Sequence, residues 1–232
     1  MTPRIDHLVV AARTLDEGVA WCEATLGVTP GPGGEHPLFG THNRLLKLQG
    51  EASPAAYLEI IAINPAATPT RGNGFKRWFD LDDPTLQARL EKDGPQLVHW
   101  VASVPDIDAA LVAWQAIGIQ RGPVLDASRQ TPHGPLHWRI SVRDDGQRLF
   151  NGALPTLIQW GPVHPSLQMA ESGIALHRLR LRHAGAAGLR AALLALGGLE
   201  DMNVLDVHEG PASLSAELHT PARGRITLLS PP

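Results

Sequence analysis

The sequence predicts an α+β fold in which βαβββ modules pair into a curved, mostly antiparallel sheet that forms a cleft, with a further βαβββ-like unit after the pair. The first supporting observation is a weak internal repeat. Residues 5–28 (IDHLVVAARTLDEGVAWCEATLGV), 97–119 (LVHWVASVPDIDAALVAWQAIGI) and 175–199 (ALHRLRLRHAGAAGLRAALLALGGL) each place a His in an apolar run, continue with a helical pattern and reach a Gly. The second is spacing: Gly27 follows His7 by 20 residues, Gly118 follows His99 by 19, and Gly197 follows His177 by 20. The third is periodicity. Side chains alternate around each His as on a half-buried strand, whereas Val19, Cys22 and Leu26, or Leu111, Trp114 and Ile117, recur every three to four residues as on a helix.

Each element then follows in order. Asp16 and Asp108, nine residues after His7 and His99, suit helix starts, and the glycines suit helix stops. Strand-like runs complete the units: 44–48 and 57–61 in the first, 136–142 and 156–160 in the second, 214–219 and 225–229 in the third. One amphipathic helix cannot cover such strands alone, so units must pair. Segments rich in Gly and Pro separate the pieces at 29–43, 64–95 and 161–173, the middle one carrying a helical pattern near Leu86–Leu90. The expected organisation is a paired domain at 1–165, built from modules of about 1–65 and 95–165 joined by a linker or lid at 66–94, and a third module at 170–232. An odd number of units suggests that the third serves packing or pairing, hence a homodimer.

Composition narrows the function classes. The 232 residues carry a net charge of -3, with 20 basic residues scattered among 23 acidic ones, which leaves no footprint for nucleic acid or an anionic membrane. No apolar run approaches the ~20 residues of a spanning helix. Cys22 is the only cysteine and cannot form an internal disulfide, and Arg4 and Asp6 stand where a secretory leader would be apolar, so a cytoplasmic location is expected. GxSxG, P-loop, CxxC and HExxH patterns are absent.

The candidate chemistry falls at matching places in two units. His7 and His99 lie on first strands, while Glu59 and Gln159 lie in the last strands, in AYLEII and TLIQW. Apolar neighbours on both sides place Glu59 and Gln159 on one expected face, the concave one. A carboxylate buried there requires a cation or a hydrogen-bonding shell. Imidazole, carboxylate and amide oxygen together suit Fe, Mn, Ni, Co or Zn, with positions open for water or substrate. His177 is the third-unit counterpart, but Thr227 stands where Glu59 would be, so no second centre is expected. In the loop GGEHPLFGTHN, Pro32 and Pro37 lack the N–H donors of a phosphate cradle, and His36, Thr41 and Asn43 are expected to line the cleft mouth. Arg129, His133 and Trp138 belong to the matching segment, where Arg129 suits a substrate carboxylate. Trp78, Trp100, Trp114, Trp138 and Trp160 are spread over separate elements, as core and interface residues are.

The runs IDHLVV (5–10), GGEHPLFGTHN (33–43), YLEII (57–61), SRQTPHGPLHWR (128–139) and LIQWGPVHP (157–165) resemble the vicinal-oxygen-chelate superfamily, which includes glyoxalase I, extradiol dioxygenases, methylmalonyl-CoA epimerase and fosfomycin-resistance enzymes. The chain looks most like its glyoxalase-like domain branch, over residues 1–165. The resemblance implies a U-shaped cleft holding a divalent metal on His7, Glu59, His99 and Gln159. It also implies a lyase, isomerase or dioxygenase type of reaction on a small oxygenated molecule, with the metal polarising neighbouring oxygens, and it leaves either Glu59 as base through quasi-symmetry or His7, His99 and Glu59 as a two-histidine, one-carboxylate set suited to non-haem Fe(II). Glyoxalase I has a carboxylate base at the place of Gln159, and an amide cannot fill that role, so glyoxalase I activity is not expected. The alternative is a metal-free protein that binds or sequesters a small molecule.

Overall fold

The computed structural model describes residues 3–50, 55–132, 134–198 and 203–230. The first unit runs β1 (Arg4–Ala11), α1 (Leu15–Leu26), β2 (Glu35–His36), β3 (Thr41–Lys47) and β4 (Tyr57–Ile63). The linker forms a short 3-10 turn at Trp78–Asp80 and then α2 (Pro84–Asp93). The second unit is β5 (Gln96–Ser103), α3 (Ile107–Ala116), β6 (Val124–Thr131), β7 (Gly134–Ser141) and β8 (Thr156–Trp160). The third is β9 (Ala175–Arg182), α4 (Ala186–Ala195), β10 (Leu205–His208), β11 (Ser213–Thr220) and β12 (Gly224–Leu229). Among the described residues no helix is long and apolar enough to cross a membrane.

The first two units make one eight-stranded sheet in the order β2-β3-β4-β1-β5-β8-β7-β6. The units meet where β1 and β5 run antiparallel, and in each the first strand lies parallel to the last. The third unit shares the βαβββ element order but not the connectivity. Its sheet is β10-β9-β11-β12, so the first strand pairs in parallel with the second and the last strand forms an edge. Helix starts also differ in detail from expectation. Thr14 and Asp106 cap α1 and α3 through their side chains, and Asp16 and Asp108 sit in the first turns. Gly27 ends α1 at φ 74, a left-handed position that favours glycine.

Both faces of the large sheet are buried at its centre, whereas β6 at the edge has no buried residue. One packs Leu8, Ile60, Trp100 and Leu157 toward the helices, in a single cluster that continues through Trp114 into Leu189 and Leu214 of the third unit. The Trp114 indole N–H donates to the Ala192 carbonyl at 2.8 Å. The third unit's apolar face is thus covered within the chain, and an odd number of units does not by itself require a partner copy. The other face carries Val9, Ile61, Val101, Ile140 and Ile158, and the linker covers it with Trp78, Phe79, Leu86 and Leu90. Residues 64–95 therefore plug part of the curved face, and the site occupies what remains.

Candidate functional site

Glu59 is buried in the middle of β4, where Leu58 and Ile60 face the helices and leave its carboxylate on the curved face. The expected hydrogen-bonding shell is present. Asn43 Nδ2 donates to Glu59 Oε1 at 2.6 Å and also lies 3.3 Å from His36 Nε2. His36 Nδ1 in turn lies 3.0 Å from Thr41 Oγ1. His36 is buried on the two-residue β2, and Thr41 and Asn43 lie on β3, so the GGEHPLFGTHN segment is a tight turn between two strands rather than an open loop. Its paired glycines have a steric reason: a Cβ on Gly33 would stand 2.1 Å from the Asn43 carbonyl oxygen, and the Gly34 N–H donates to Asn43 Oδ1 at 2.8 Å.

His7 brings its Nε2 to 3.6 Å from Glu59 Oε2. Its other nitrogen, Nδ1, lies 2.6 Å from Oδ1 of Asp6, a completely buried side chain. Asp6 Oδ2 also accepts from Trp160 Nε1 at 2.8 Å and lies 3.1 Å from His164 Nε2. His164 Nδ1 faces the backbone N–H of Ser166, at 3.2 Å, so it is an acceptor and Nε2 carries the hydrogen that meets Asp6. Burial alone would raise the Asp6 pKa, but the bonds from His164 and His7 outweigh it and hold the carboxyl well below its usual range. The same carboxylate fixes His7 with Nδ1–H toward Asp6 and Nε2 toward Glu59. Tyr57 stacks on the His7 ring at 4.5 Å, and burial pushes its phenol well above its ordinary value, with the charges of Asp6 and Glu59 adding to the shift.

His7, His36, Asn43, Glu59, Arg129 and Trp138 share one cavity of about 30 Å³, whose wall includes Trp78 and Trp160. Arg129 lies on β6, which is not among the expected strands, and Trp138 lies on β7, which overlaps the strand expected at 136–142. Arg129 Nη1 is 3.5 Å from Asn43 Oδ1. His133 lies outside the described residues. Burial lowers the His36 pKa to about 3, with the charge of Arg129 contributing, so this imidazole is neutral.

The two remaining expected ligands are elsewhere. His99 lies fully buried at the plugged end of the curved face, 5.2 Å from the Phe79 ring. Its Nδ1 is 3.0 Å from the Gly152 carbonyl, and its Nε2 accepts the Thr156 N–H at 3.1 Å and lies 3.0 Å from Thr156 Oγ1. Both nitrogens are committed to the fold. Gln159 is on the opposite face. Ile158 and Trp160 occupy the curved face of β8, while Gln159 Oε1 accepts the Ile107 N–H at the start of α3. The four expected donors are therefore not brought together. Among the described residues no three His, Cys, Asp or Glu side chains are grouped to hold a metal ion, and the Arg129 guanidinium faces the pair that remains. One imidazole and one carboxylate do not fit a glyoxalase-type four-ligand centre. Sequence reasoning missed Asp6, Tyr57 and His164. Of these only Asp6 had a local signal, a second polar residue beside His7 in an apolar strand.

The chain matches the family model of the glyoxalase-like domain over residues 5–197, beyond the span that the sequence motifs suggested. No curated protein matches it in sequence. Among solved structures it is similar to a hypothetical protein from Staphylococcus aureus, at 12% identity and TM-score 0.59 over 91% of this chain and 88% of that one. It is also similar to a Streptomyces coelicolor methylmalonyl-CoA epimerase variant in complex with 2-nitronate-propionyl-CoA, at 18% identity and TM-score 0.41, over 69% of this chain and 94% of that one. A methylmalonyl-CoA epimerase from Mycobacterium tuberculosis matches at 19% identity and TM-score 0.39, over 72% and 92% of the respective chains. The first of these likenesses concerns the fold alone. With the family match spanning both paired units and the beginning of the third, the chain belongs to the glyoxalase-like domain family.

Proposed function

We propose that the chain is an enzyme that moves a proton on a small oxygenated molecule, with Glu59 as general base and His7 as the group that shares and returns the proton. The observation that carries this reading is the 3.6 Å approach of His7 Nε2 to Glu59 Oε2, with Asp6 behind the imidazole at 2.6 Å. At 3.6 Å the two groups do not hydrogen-bond to each other directly, but they stand close enough to hand a proton across a substrate atom or a water placed between them. Asn43 occupies the other Glu59 oxygen and leaves Oε2 for proton transfer.

In the proposed step the substrate displaces the aromatic wall of a cavity that otherwise has room for about one water molecule; Glu59 Oε2 then takes a proton from carbon next to a carbonyl, and the electron pair moves onto the carbonyl oxygen as an enolate. Arg129, which has no ion-pair partner among the described residues, supplies positive charge for that oxygen or for a substrate carboxylate. His7 and Glu59 then return a proton to carbon. A base placed in this way contributes about 10²- to 10⁴-fold in rate. No step is routed through a metal, because the donor set is incomplete.

The test is deuterium incorporation, followed by NMR, into a panel of small 2-oxo acids and 2-hydroxy ketones in D2O. The wild-type chain is expected to exchange the proton next to the carbonyl in at least one of them, and Glu59→Gln to lose that exchange. Exchange retained by Glu59→Gln overturns the assignment, and no exchange across the panel favours the sequestering alternative.

A further inference from the structure

The cavity at His7 and Glu59 has room for about one water molecule, at about 30 Å³. A much larger pocket, about 540 Å³, lies beyond its wall. Trp160 lines both spaces, and His164, bonded to Asp6 on one side, lines the large pocket on the other. The pocket is shaped by the start of β1, the ends of β3 and β5, and the segment that follows β8. Leu167, 77% exposed, stands at its rim.

Its charge is one-sided. Arg4 and Lys47 line it, and no described Asp or Glu does. Lys47 is ion-paired with Glu171, whose side chain is mostly exposed. Arg4 is partly buried and has no ion-pair partner among the described residues. A guanidinium that has shed part of its water without gaining a counter-ion is a ready site for a carboxylate, which it binds through two parallel N–H donors. The rest of the lining combines the polar Ser103, Gln159, His164 and Ser166 with Trp160, Val104, Pro105 and Pro162, whose apolar surface suits a ring or short chain. By contrast, the pocket of about 720 Å³ beside α2 mixes basic residues with Asp80, Asp82, Asp83 and Asp145 and has no such preference.

We propose that this pocket binds a small organic carboxylate, with the acid group on Arg4 and Lys47 and the apolar body against Trp160. Binding there is independent of proton transfer at Glu59, and the two are tested by different variants. The probe is 2-naphthoate, with 2-naphthamide as its uncharged counterpart, both titrated calorimetrically into the full chain. One equivalent of 2-naphthoate is expected to bind, about tenfold more tightly than the amide, a difference of about 1.4 kcal/mol. Arg4→Gln should remove that advantage and leave amide binding unchanged, and Lys47→Gln should reduce it less. Arg129→Gln and Glu59→Gln should leave naphthoate affinity as it was. No binding, equal affinity for acid and amide, or a loss that follows Arg129→Gln instead of Arg4→Gln overturns the proposal. A melting curve for each variant separates a binding defect from a folding defect.

Discussion

The Asp6 carboxylate lies 2.6 Å from His7 through one oxygen and 3.1 Å from His164 through the other, so a single buried acid orients two imidazoles from opposite ends of the paired domain. In Asp6→Asn the amide can offer its oxygen to only one of them, and its N–H2 must face a nitrogen or turn away. His7 then loses the partner that fixes its tautomer. The exchange rate proposed for Glu59 should fall by about 100-fold, and the melting temperature should drop as well. His164→Gln leaves the His7–Asp6 bond intact and should lower the rate less. Equal losses in the two variants, or none in Asp6→Asn, would show that this carboxylate serves packing alone.

The site's charges also fix how stability responds to acid. Asp6 has a folded-state pKa below its unfolded value, because hydrogen bonds from His164 and His7 exceed the opposing effect of burial. Its contribution is full above about pH 4 and is lost as pH falls toward the folded value. His36 is a base held neutral, with a folded pKa of about 3 caused first by burial and then by Arg129. Against an unfolded value of about 6.5, protons bind the unfolded chain preferentially below that pH, and the effect saturates near the folded value. His99 shifts in the same direction, through burial and then Arg121. Urea unfolding should therefore show stability declining from pH 7 toward pH 5, with a limiting slope of about two protons, or about 2.7 kcal/mol per pH unit. His36→Asn should remove about one of these. A flat profile, or a gain on acidification, would contradict the burial argument.

The parts of this arrangement that were legible in the sequence are those set by regular alternation. His7 and Glu59 fall on one face because Leu8, Leu58 and Ile60 claim the helix side, and His36, Thr41, Asn43, Arg129 and Trp138 gather near them. Alternation failed at Gln159 because the curved face of the second unit is apolar. Trp138 pairs with Trp160 and Ile140 with Ile158, which turns the polar residue between them toward α3. His99 was displaced by an irregularity no local pattern announces: Val9 faces His99, but its neighbour Val10 faces Leu97. His164 lies 158 residues from Asp6, and only the pairing of β1 with β5 and of β5 with β8 brings them together.

The commitment of both His99 nitrogens yields a prediction that separates structure from chemistry. His99→Gln removes an imidazole that bridges the Gly152 carbonyl to the Thr156 backbone and hydroxyl, in a fully buried position. Leaving such groups unpaired costs about 1–3 kcal/mol each, so the melting temperature should fall clearly. Below that temperature the exchange reaction should proceed as in the wild type, and divalent metal content, measured by elemental analysis of untagged protein, should not change. Stoichiometric metal in the wild type that is lost in His99→Gln would restore the ligand role.

Gln159 supplies the last test, because its substitution by Glu would rebuild the carboxylate that glyoxalase I carries at the equivalent strand. If the side chain reached the curved face, Gln159→Glu would place a second base near His7 and create some isomerisation of the methylglyoxal–glutathione hemithioacetal. The structure directs it elsewhere: Oε1 accepts the Ile107 N–H at 3.0 Å, and Arg139, its register neighbour on β7, is paired with Asp108 at 2.7 Å on the same side. A carboxylate at this helix start gains about 0.3–1 kcal/mol from the free N–H groups and the helix dipole, partly offset by the nearby Asp106 and Asp108. Gln159→Glu is thus expected to melt close to the wild type and to show no hemithioacetal isomerisation. Gln159→Leu, which strips the Ile107 N–H of its acceptor, should lose about 1 kcal/mol. Isomerase activity appearing in Gln159→Glu would mean that the strand exposes position 159 to the cleft, and the two-residue His7–Glu59 site would have to be redrawn around it.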